Sequence, residues 1–135
     1  MNNGSIHKAL ARKLEAVAAV LGVPVAWQNV SFEPPSTGIY LEEAFLPAEN
    51  EDVFVQGTAA VRRGVYQVTV IYPLGKGSQA AQALADKIAE AFPNNAMIDA
   101  NNKPLFVNGF ADVFSGLTDD TGYRVPVSIP YIITA

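Results

Sequence analysis

The residues best placed for chemistry lie in the turn Gly75-Lys76-Gly77-Ser78, between a predicted strand and a predicted helix. Free backbone amides and the helix dipole make such a junction suitable for an anion. A nucleotide P-loop requires the pattern G-x-x-x-x-G-K-[ST], and neither the spacing nor the order fits here. We therefore interpret the segment as a turn with Ser78 as N-cap, and keep Lys76, Gly77 and Ser78 as a candidate anion site.

Other residues that commonly perform catalysis are few or lack suitable neighbours. The chain has no cysteine, which excludes disulfides, thiolate metal sites and a cysteine nucleophile. We interpret His7, the single histidine, as a surface or helix-end residue, because no acid stands at metal-ligand spacing from it. Carboxylates are numerous but lack an acid–base context, and no serine has a G-x-S-x-G setting. We predict neither catalysis nor a metal or other cofactor.

Composition indicates one globular domain over residues 1–135, with 50% hydrophobic and 16% charged residues. The net charge of -4 and the pI of about 4.8 oppose a nucleic-acid role, because no basic surface offsets phosphate repulsion. No apolar run approaches the roughly 18 residues of a membrane span. The N-terminal stretch lacks the apolar core of a signal peptide, so we expect a cytosolic product.

The best-defined unit is a strand followed directly by a helix. Residues 65–72 alternate, with apolar side chains on both faces, which predicts an inner strand that is partly covered on each side. Pro73, Gly75 and Gly77 end the strand, and a helix is predicted from Ser78 to Pro93. Its apolar stripe consists of Ala81, Leu84, Ala85, Ile88 and Phe92.

The N-terminal part of the chain predicts a helix and two strands. The helix begins at Ser5 as N-cap and ends at Gly22. Residues 25–32 form the weaker strand, and residues 38–46 form a strand with one more polar face. Glu43 falls among the apolar positions of this second strand. A basic neighbour or a position near a sheet edge would accommodate its carboxylate.

A long acidic connection follows, over residues 47–58, and its charges are Glu49, Glu51 and Asp52. Connections of this length are usually functional or disordered. The apolar residues Val53, Phe54 and Val55 either fold back onto the core or pack on another subunit. The arginines that follow, Arg62 and Arg63, suggest ion pairs with the acidic residues, within one chain or between chains.

The C-terminal third is predicted to be rich in strands. Residues 105–107 and 110–117 are two strands joined by the hairpin turn Asn108-Gly109, and residues 123–133 form the last strand. Pro126 and Pro130 share one parity, so their missing donors lie on the same edge of that strand. This edge is expected to be unpaired or irregularly paired, and we consider it a second docking surface.

This order of elements resembles the tail terminator, or head–tail joining, proteins of long-tailed bacteriophages and prophages. The similar residues are 64–70, Pro73, Gly75 and Gly77, the helix end Ala91-Phe92, and 125–131. The resemblance implies a non-enzymatic α+β subunit, with a mixed or antiparallel sheet flanked by two helices. It also implies a hexameric ring that caps the tail tube and meets the head connector, with no membrane partner. Location would be the virion tail, and the host cytoplasm during assembly.

From charge and exposure we assign the ring contact to Glu49, Glu51, Asp52, Val53 and Phe54 on one side and to Arg62 and Arg63 on the other. A ring requires such a contact between two different surfaces of one subunit. We expect Arg62→Glu to weaken self-association with little effect on thermal stability. Salt or divalent cations should help a negatively charged ring to close. The alternatives are another virion subunit (a tail-tube or head-completion protein), a small anion-binding domain, and an unrecognised enzyme.

Overall fold

The computed structural model describes residues 3–48, 61–120 and 122–134, which contain two helices and eight strands. The elements in chain order are α1 (Asn3–Leu21), β1 (Val25–Ala26), β2 (Tyr40–Pro47), β3 (Val61–Tyr72), α2 (Gln79–Ala91), β4 (Met97–Ala100), β5 (Lys103–Val107), β6 (Asp112–Val113), β7 (Leu117–Asp119) and β8 (Gly122–Thr134). The strands form one sheet in the order β1-β2-β3-β8-β5-β4, and β6 and β7 also pair with β8. Because β1 is parallel to β2 and the other pairs are antiparallel, the predicted α+β fold with a mixed sheet is confirmed.

Both helices pack against the same face of the sheet. Alternation along β3 directs Tyr66, Val68 and Val70 into one buried cluster with the apolar stripes of the two helices. α1 contributes Ile6, Ala9, Leu10, Leu14 and Ala18, and α2 contributes Ala81, Leu84, Ala85 and Ile88. No helix among the described residues covers the opposite face, which we call the outer face.

The long strand β3 holds the sheet together. It pairs along its whole length with β8, from Val61 opposite Thr134 to Tyr72 opposite Tyr123. Its other edge pairs with β2, from Pro47 opposite Gly64 to Tyr40 opposite Ile71. The inner position that was predicted for residues 65–72 is therefore confirmed, although the strand begins earlier, at Val61.

The outer edge of β8 is paired in three short pieces. β7, β6 and β5 follow one another along it, opposite residues 122–124, 127–128 and 131–133. The carbonyls of Pro126 and Pro130 accept hydrogen bonds from the Phe114 and Asn108 amides, both at 2.9 Å. The prediction of irregular pairing is confirmed. The prediction that this edge is a docking surface is wrong, because segments of the same chain occupy it.

Two local predictions are also wrong. The strand predicted over residues 25–32 is only β1, because Asn29 adopts a positive φ of 58° in the turn that follows it. Asn108-Gly109 does not close a hairpin, since β5 and β6 each pair with β8 instead of with each other. The hairpin lies earlier, where Asn101 and Asn102 join β4 to β5 with φ values of 56° and 66°. Two consecutive positive φ angles are typical of a type I′ turn.

Candidate functional site

The residues predicted to make subunit contacts are only partly described. Glu49, Glu51, Asp52, Val53 and Phe54 lie outside the described residues. Arg62 and Arg63 occupy consecutive positions of β3, so their side chains leave opposite faces of the sheet. Arg63 is exposed on the outer face, whereas Arg62 points toward the helices. The two arginines therefore do not form one cationic surface.

Arg62 lies in a confined position. Its Nη1 is 3.5 Å from the Oδ1 of Asn3, near the start of α1. Its Nε is buried and has no hydrogen-bond partner among the described residues. The positive charge of Arg62 also acts on the buried phenol of Tyr131. We therefore no longer expect Arg62→Glu to leave stability nearly unchanged, because a new carboxylate would be partly desolvated beside this phenol.

The candidate anion residues form an exposed turn. Lys76, Gly77 and Ser78 are all exposed between β3 and α2, and the φ of Gly77 is 75°. Ser78 is the N-cap of α2 as predicted, but its hydroxyl makes no capping hydrogen bond, because its backbone is already close to helical (φ -102°, ψ -19°). Its carbonyl oxygen instead accepts the Gln82 amide at 2.9 Å. Anion binding at this turn stays a prediction.

The main polar feature of the core is the carboxylate of Glu43. This residue is 5% exposed and lies on the helix side of β2. One oxygen, Oε1, is 2.9 Å from the Nε2 of His7 and accepts the Gln28 amide at 3.1 Å. The other, Oε2, accepts a hydrogen bond from the Tyr66 hydroxyl. Three donors from α1, β3 and the segment after β1 thus converge on one buried carboxylate.

Aromatic rings extend this cluster toward β8. The His7 ring stacks on Phe45, with centroids 4.9 Å apart and planes 1° from parallel. Phe45 in turn stacks on Tyr131 at 5.6 Å. The Gln28 side chain accepts the Phe45 amide at 2.6 Å, so the same loop residue binds both the carboxylate and the strand edge.

Burial sets the protonation of the two tyrosines. Desolvation raises the pKa of Tyr66 far above its usual value, and the hydrogen bond and negative charge of Glu43 act in the same direction. Desolvation likewise raises the pKa of Tyr131 to about 12, although the charge of Arg62 opposes the increase. Both phenols therefore remain protonated at neutral pH, and Tyr66 acts as a donor.

The arrangement is suited to anchoring α1 and the segment after β1 to the sheet. The Glu43 carboxylate already accepts three hydrogen bonds, which satisfies most of its capacity. His7 lies near the start of α1, in agreement with the helix-end interpretation, but its side chain is only 29% exposed and is the partner of Glu43. The signal in the sequence was Glu43 itself, an acid at an apolar position that calls for a basic neighbour. The sequence alone does not indicate that this neighbour is His7, which lies 36 positions before Glu43.

Other site types lack support in the described part of the chain. Within it, no group of three or more histidine, cysteine or acidic side chains is arranged to hold a metal ion. Among the described helices, none has the length and apolar character that crossing a membrane requires.

Comparisons with known proteins identify one family and two solved structures with a similar fold. The family model for the phage tail terminator protein matches residues 5–131. A solved structure that carries no functional name is 31% identical to this chain, with a TM-score of 0.80. The match covers 98% of this chain and 96% of that one. A chain in the virion of a native gene transfer agent particle is 18% identical to this one, with a TM-score of 0.63, and the match covers 97% of this chain and 95% of that one. This likeness shows a shared fold. No curated protein matches.

Proposed function

The chain belongs to the phage tail terminator family and is a structural tail protein, and on this premise we propose that it assembles into a six-membered ring. The ring caps the end of the tail tube and joins it to the head-completion or connector protein. Its partners are copies of itself and these two neighbours, and its role involves no catalysis. It works in the virion tail and assembles in the host cytoplasm. The family match over residues 5–131 carries this proposal.

The charges of the sequence and the exposure of Arg63 support a contact between unlike surfaces. Glu49, Glu51 and Asp52, with Val53 and Phe54, are assigned to one side of the contact, as the sequence predicts. Of the two arginines assigned to the other side, Arg63 is exposed, whereas Arg62 is directed toward α1. Arg63 therefore provides the cationic half. Since each chain carries a net charge of -4, repulsion between subunits should weaken with salt.

Native mass spectrometry and sedimentation velocity test the ring. We expect a hexamer whose population grows with protein concentration and with added NaCl or Mg²⁺. The same measurements are repeated with purified tail-tube protein, because a tube end is a template for the ring. Negative-stain images should then show the labelled chain at tube ends only. A chain that remains monomeric in every condition, tubes included, would refute the ring.

A further inference from the structure

We propose that the acidic segment 49–60 of one subunit binds a cleft between α1 and β4 of the next, where it adds a strand to the open edge of β4. This inference rests on the proposed ring and names the two parts of each subunit that close it. The cleft, which we call the edge cleft, has a volume of about 260 Å³ and is lined by Ser5, Lys8, Ala9, Arg12, Asp99 and Asn101.

β4 ends the sheet with an open edge. Just before it, the Val107 amide donates to the Ala96 carbonyl at 2.9 Å, and hydrogen-bonded residues alternate along an antiparallel ladder. The amides and carbonyls of Met97 and Asp99 therefore point away from β5, where no other described residue binds them. Pro104, opposite Asp99, stands at a position that requires no amide. An edge of this kind can accept a strand from another chain.

The other strand edges offer less to an added strand. β1, at the opposite end of the sheet, has only two residues. Beyond β1, the Phe45 amide of β2 donates to the Gln28 side chain, and Pro47 has no amide hydrogen. The outer edge of β8 is occupied by β5, β6 and β7. Within the described part of the sheet, β4 therefore has the most accessible edge.

Two cations flank the edge cleft. Lys8 and Arg12 are about one turn apart on α1, are both exposed, and form no ion pair with another described residue. With the single carboxylate of Asp99, the two cations leave the lining a net charge of +1. Lys103 adds a further cation in the hairpin of β4 and β5, opposite Ala100. On a chain whose net charge is -4, such a site favours an acidic ligand.

Segment 49–60 has the composition that this site requires. Glu49, Glu51 and Asp52 supply three carboxylates, and the segment contains no lysine or arginine. Residues 53–55, with the sequence Val-Phe-Val, directly follow these acids and have high β-propensity. The carboxylates match the cations of the edge cleft, and the apolar triplet suits pairing with the edge of β4.

The strand order favours a neighbouring subunit as the source of this segment. Ala48, the last described residue before it, donates to the Arg63 carbonyl of β3, and the row through Arg63 ends at Met97 of β4. Along the sheet, β2 and a strand added to β4 are five strand spacings apart, about 24 Å. The five residues from Ala48 to Val53 span at most about 18 Å when extended. Residues 53–55 therefore fall short of the β4 edge of their own chain.

A contact between segment and cleft is compatible with a closed ring. It joins two different surfaces, so every subunit provides one segment and one edge cleft to its neighbours. Arg63 stands in the same row as Met97, so the cation already assigned to the contact lies at the same end of the sheet as the edge cleft.

An exchange of charge between subunits tests the contact. The cleft variant carries Lys8→Glu and Arg12→Glu, and the segment variant carries Glu51→Lys and Asp52→Lys. Each variant alone should raise the protein concentration for half-assembly at least about tenfold, with the unfolding midpoint retained. An equimolar mixture should assemble within about threefold of the wild-type concentration, because chains of the two kinds can alternate around a six-membered ring and each then meets the opposite charge.

Lys76→Glu combined with Lys87→Glu is the matched control. Both lysines are exposed and lie outside the edge cleft, and the change in net charge equals that of the cleft variant. The control should shift half-assembly less than about threefold, and a shift as large as that of the cleft variant would overturn the contact.

A single chain with all four substitutions in cleft and segment should also assemble. If it assembles while the mixture of variants does not, the segment binds its own subunit, which overturns the contact and leaves the ring standing. A wild-type chain that never assembles overturns both.

Met97→Pro tests the added strand. It removes an amide hydrogen that points away from β5 and so preserves the ladder between β4 and β5. Half-assembly should require at least about fivefold more protein, whereas Met97→Ala, which keeps the amide, should change it less than about twofold. In the wild-type ring, the amides of Met97 and Asp99 should exchange hydrogen more slowly than in the monomer. Equal effects of the two substitutions, or unchanged exchange, would overturn the strand pairing.

Discussion

The hydrogen bond from Tyr66 to Glu43 should be a major stabilising contact, and a double-mutant cycle measures it. Tyr66→Phe removes a donor from a buried carboxylate, and a bond to a charged group contributes about 1.5–3 kcal/mol. Glu43→Leu removes the acceptor and leaves the buried Tyr66 hydroxyl without its partner. Because an unsatisfied buried group costs about 1–3 kcal/mol and the Gln28 amide also loses its acceptor, we expect a loss of about 2–4 kcal/mol.

The double variant separates coupling from packing. Once both polar partners are apolar, no donor of this pair is left unsatisfied, so the combined loss should fall below the sum of the single losses by at least about 1 kcal/mol. Urea unfolding at fixed pH provides each free energy, provided that the slope with denaturant stays constant across variants. Losses that add to within about 0.5 kcal/mol would refute the coupling.

Tyr40→Phe is the matched control for this cycle. Tyr40 is buried on the outer face of the same strand, where its ring contacts Phe32, so it is separated from the Glu43 side chain by the sheet. The change that Tyr40→Phe makes in the free energy of unfolding should add to the change made by Glu43→Leu. Coupling of Tyr40 as strong as that of Tyr66 would mean that the cycle reports a general weakening of β2 and not the hydrogen bond.

Three further outcomes are expected. Gly64→Ala should cost about 1–3 kcal/mol of unfolding free energy in urea, because the added Cβ would lie 2.7 Å from the Leu46 carbonyl oxygen. Burial raises the pKa of Tyr131 to about 12, so the stability that its protonated phenol contributes is complete below the unfolded pKa near 10 and is lost as the pH rises toward 12. Tyr131→Phe should therefore flatten this part of the curve of unfolding midpoint against pH. Arg62→Glu should lower the unfolding midpoint, whereas Arg63→Glu should change stability by less than about 0.5 kcal/mol and weaken self-association by sedimentation.

The elements with clear periodicity were predictable from the sequence, and the short ones were not. The stripe that ends at Phe92 and the alternation in residues 65–72 reflect burial that repeats over many residues, so each predicts its own element. β6 and β7 consist of two and three residues and exist because β8 offers them an edge. Strands this short leave no periodic signal of their own, which is why Asn108-Gly109 was misread as a hairpin turn.

An error of a few residues in the start of β3 changed the prediction for the contact surface. With the strand beginning at residue 65, Arg62 and Arg63 stood at its entrance and were assigned together to one side of the contact. With the strand beginning at Val61, alternation separates them. The partners of Glu43 were even harder to predict from the sequence. Its position predicted a basic neighbour, but only the packing of α1 on β2 brings His7 to it.

The buried cluster and the outer face of the sheet are linked through adjacent residues of β2. Phe45 faces the core and stacks between His7 and Tyr131, while Leu46, the next residue, is exposed on the outer face. The Tyr131 hydroxyl lies 2.6 Å from the position that a Cβ would take on Gly64, directly before the partner of Leu46 in β3. The cluster thus joins the end of β2 to α1 and β8. Because a surface that is already ordered loses less entropy on binding, anchoring α1 to β2 would favour the proposed assembly without contacting a neighbouring subunit.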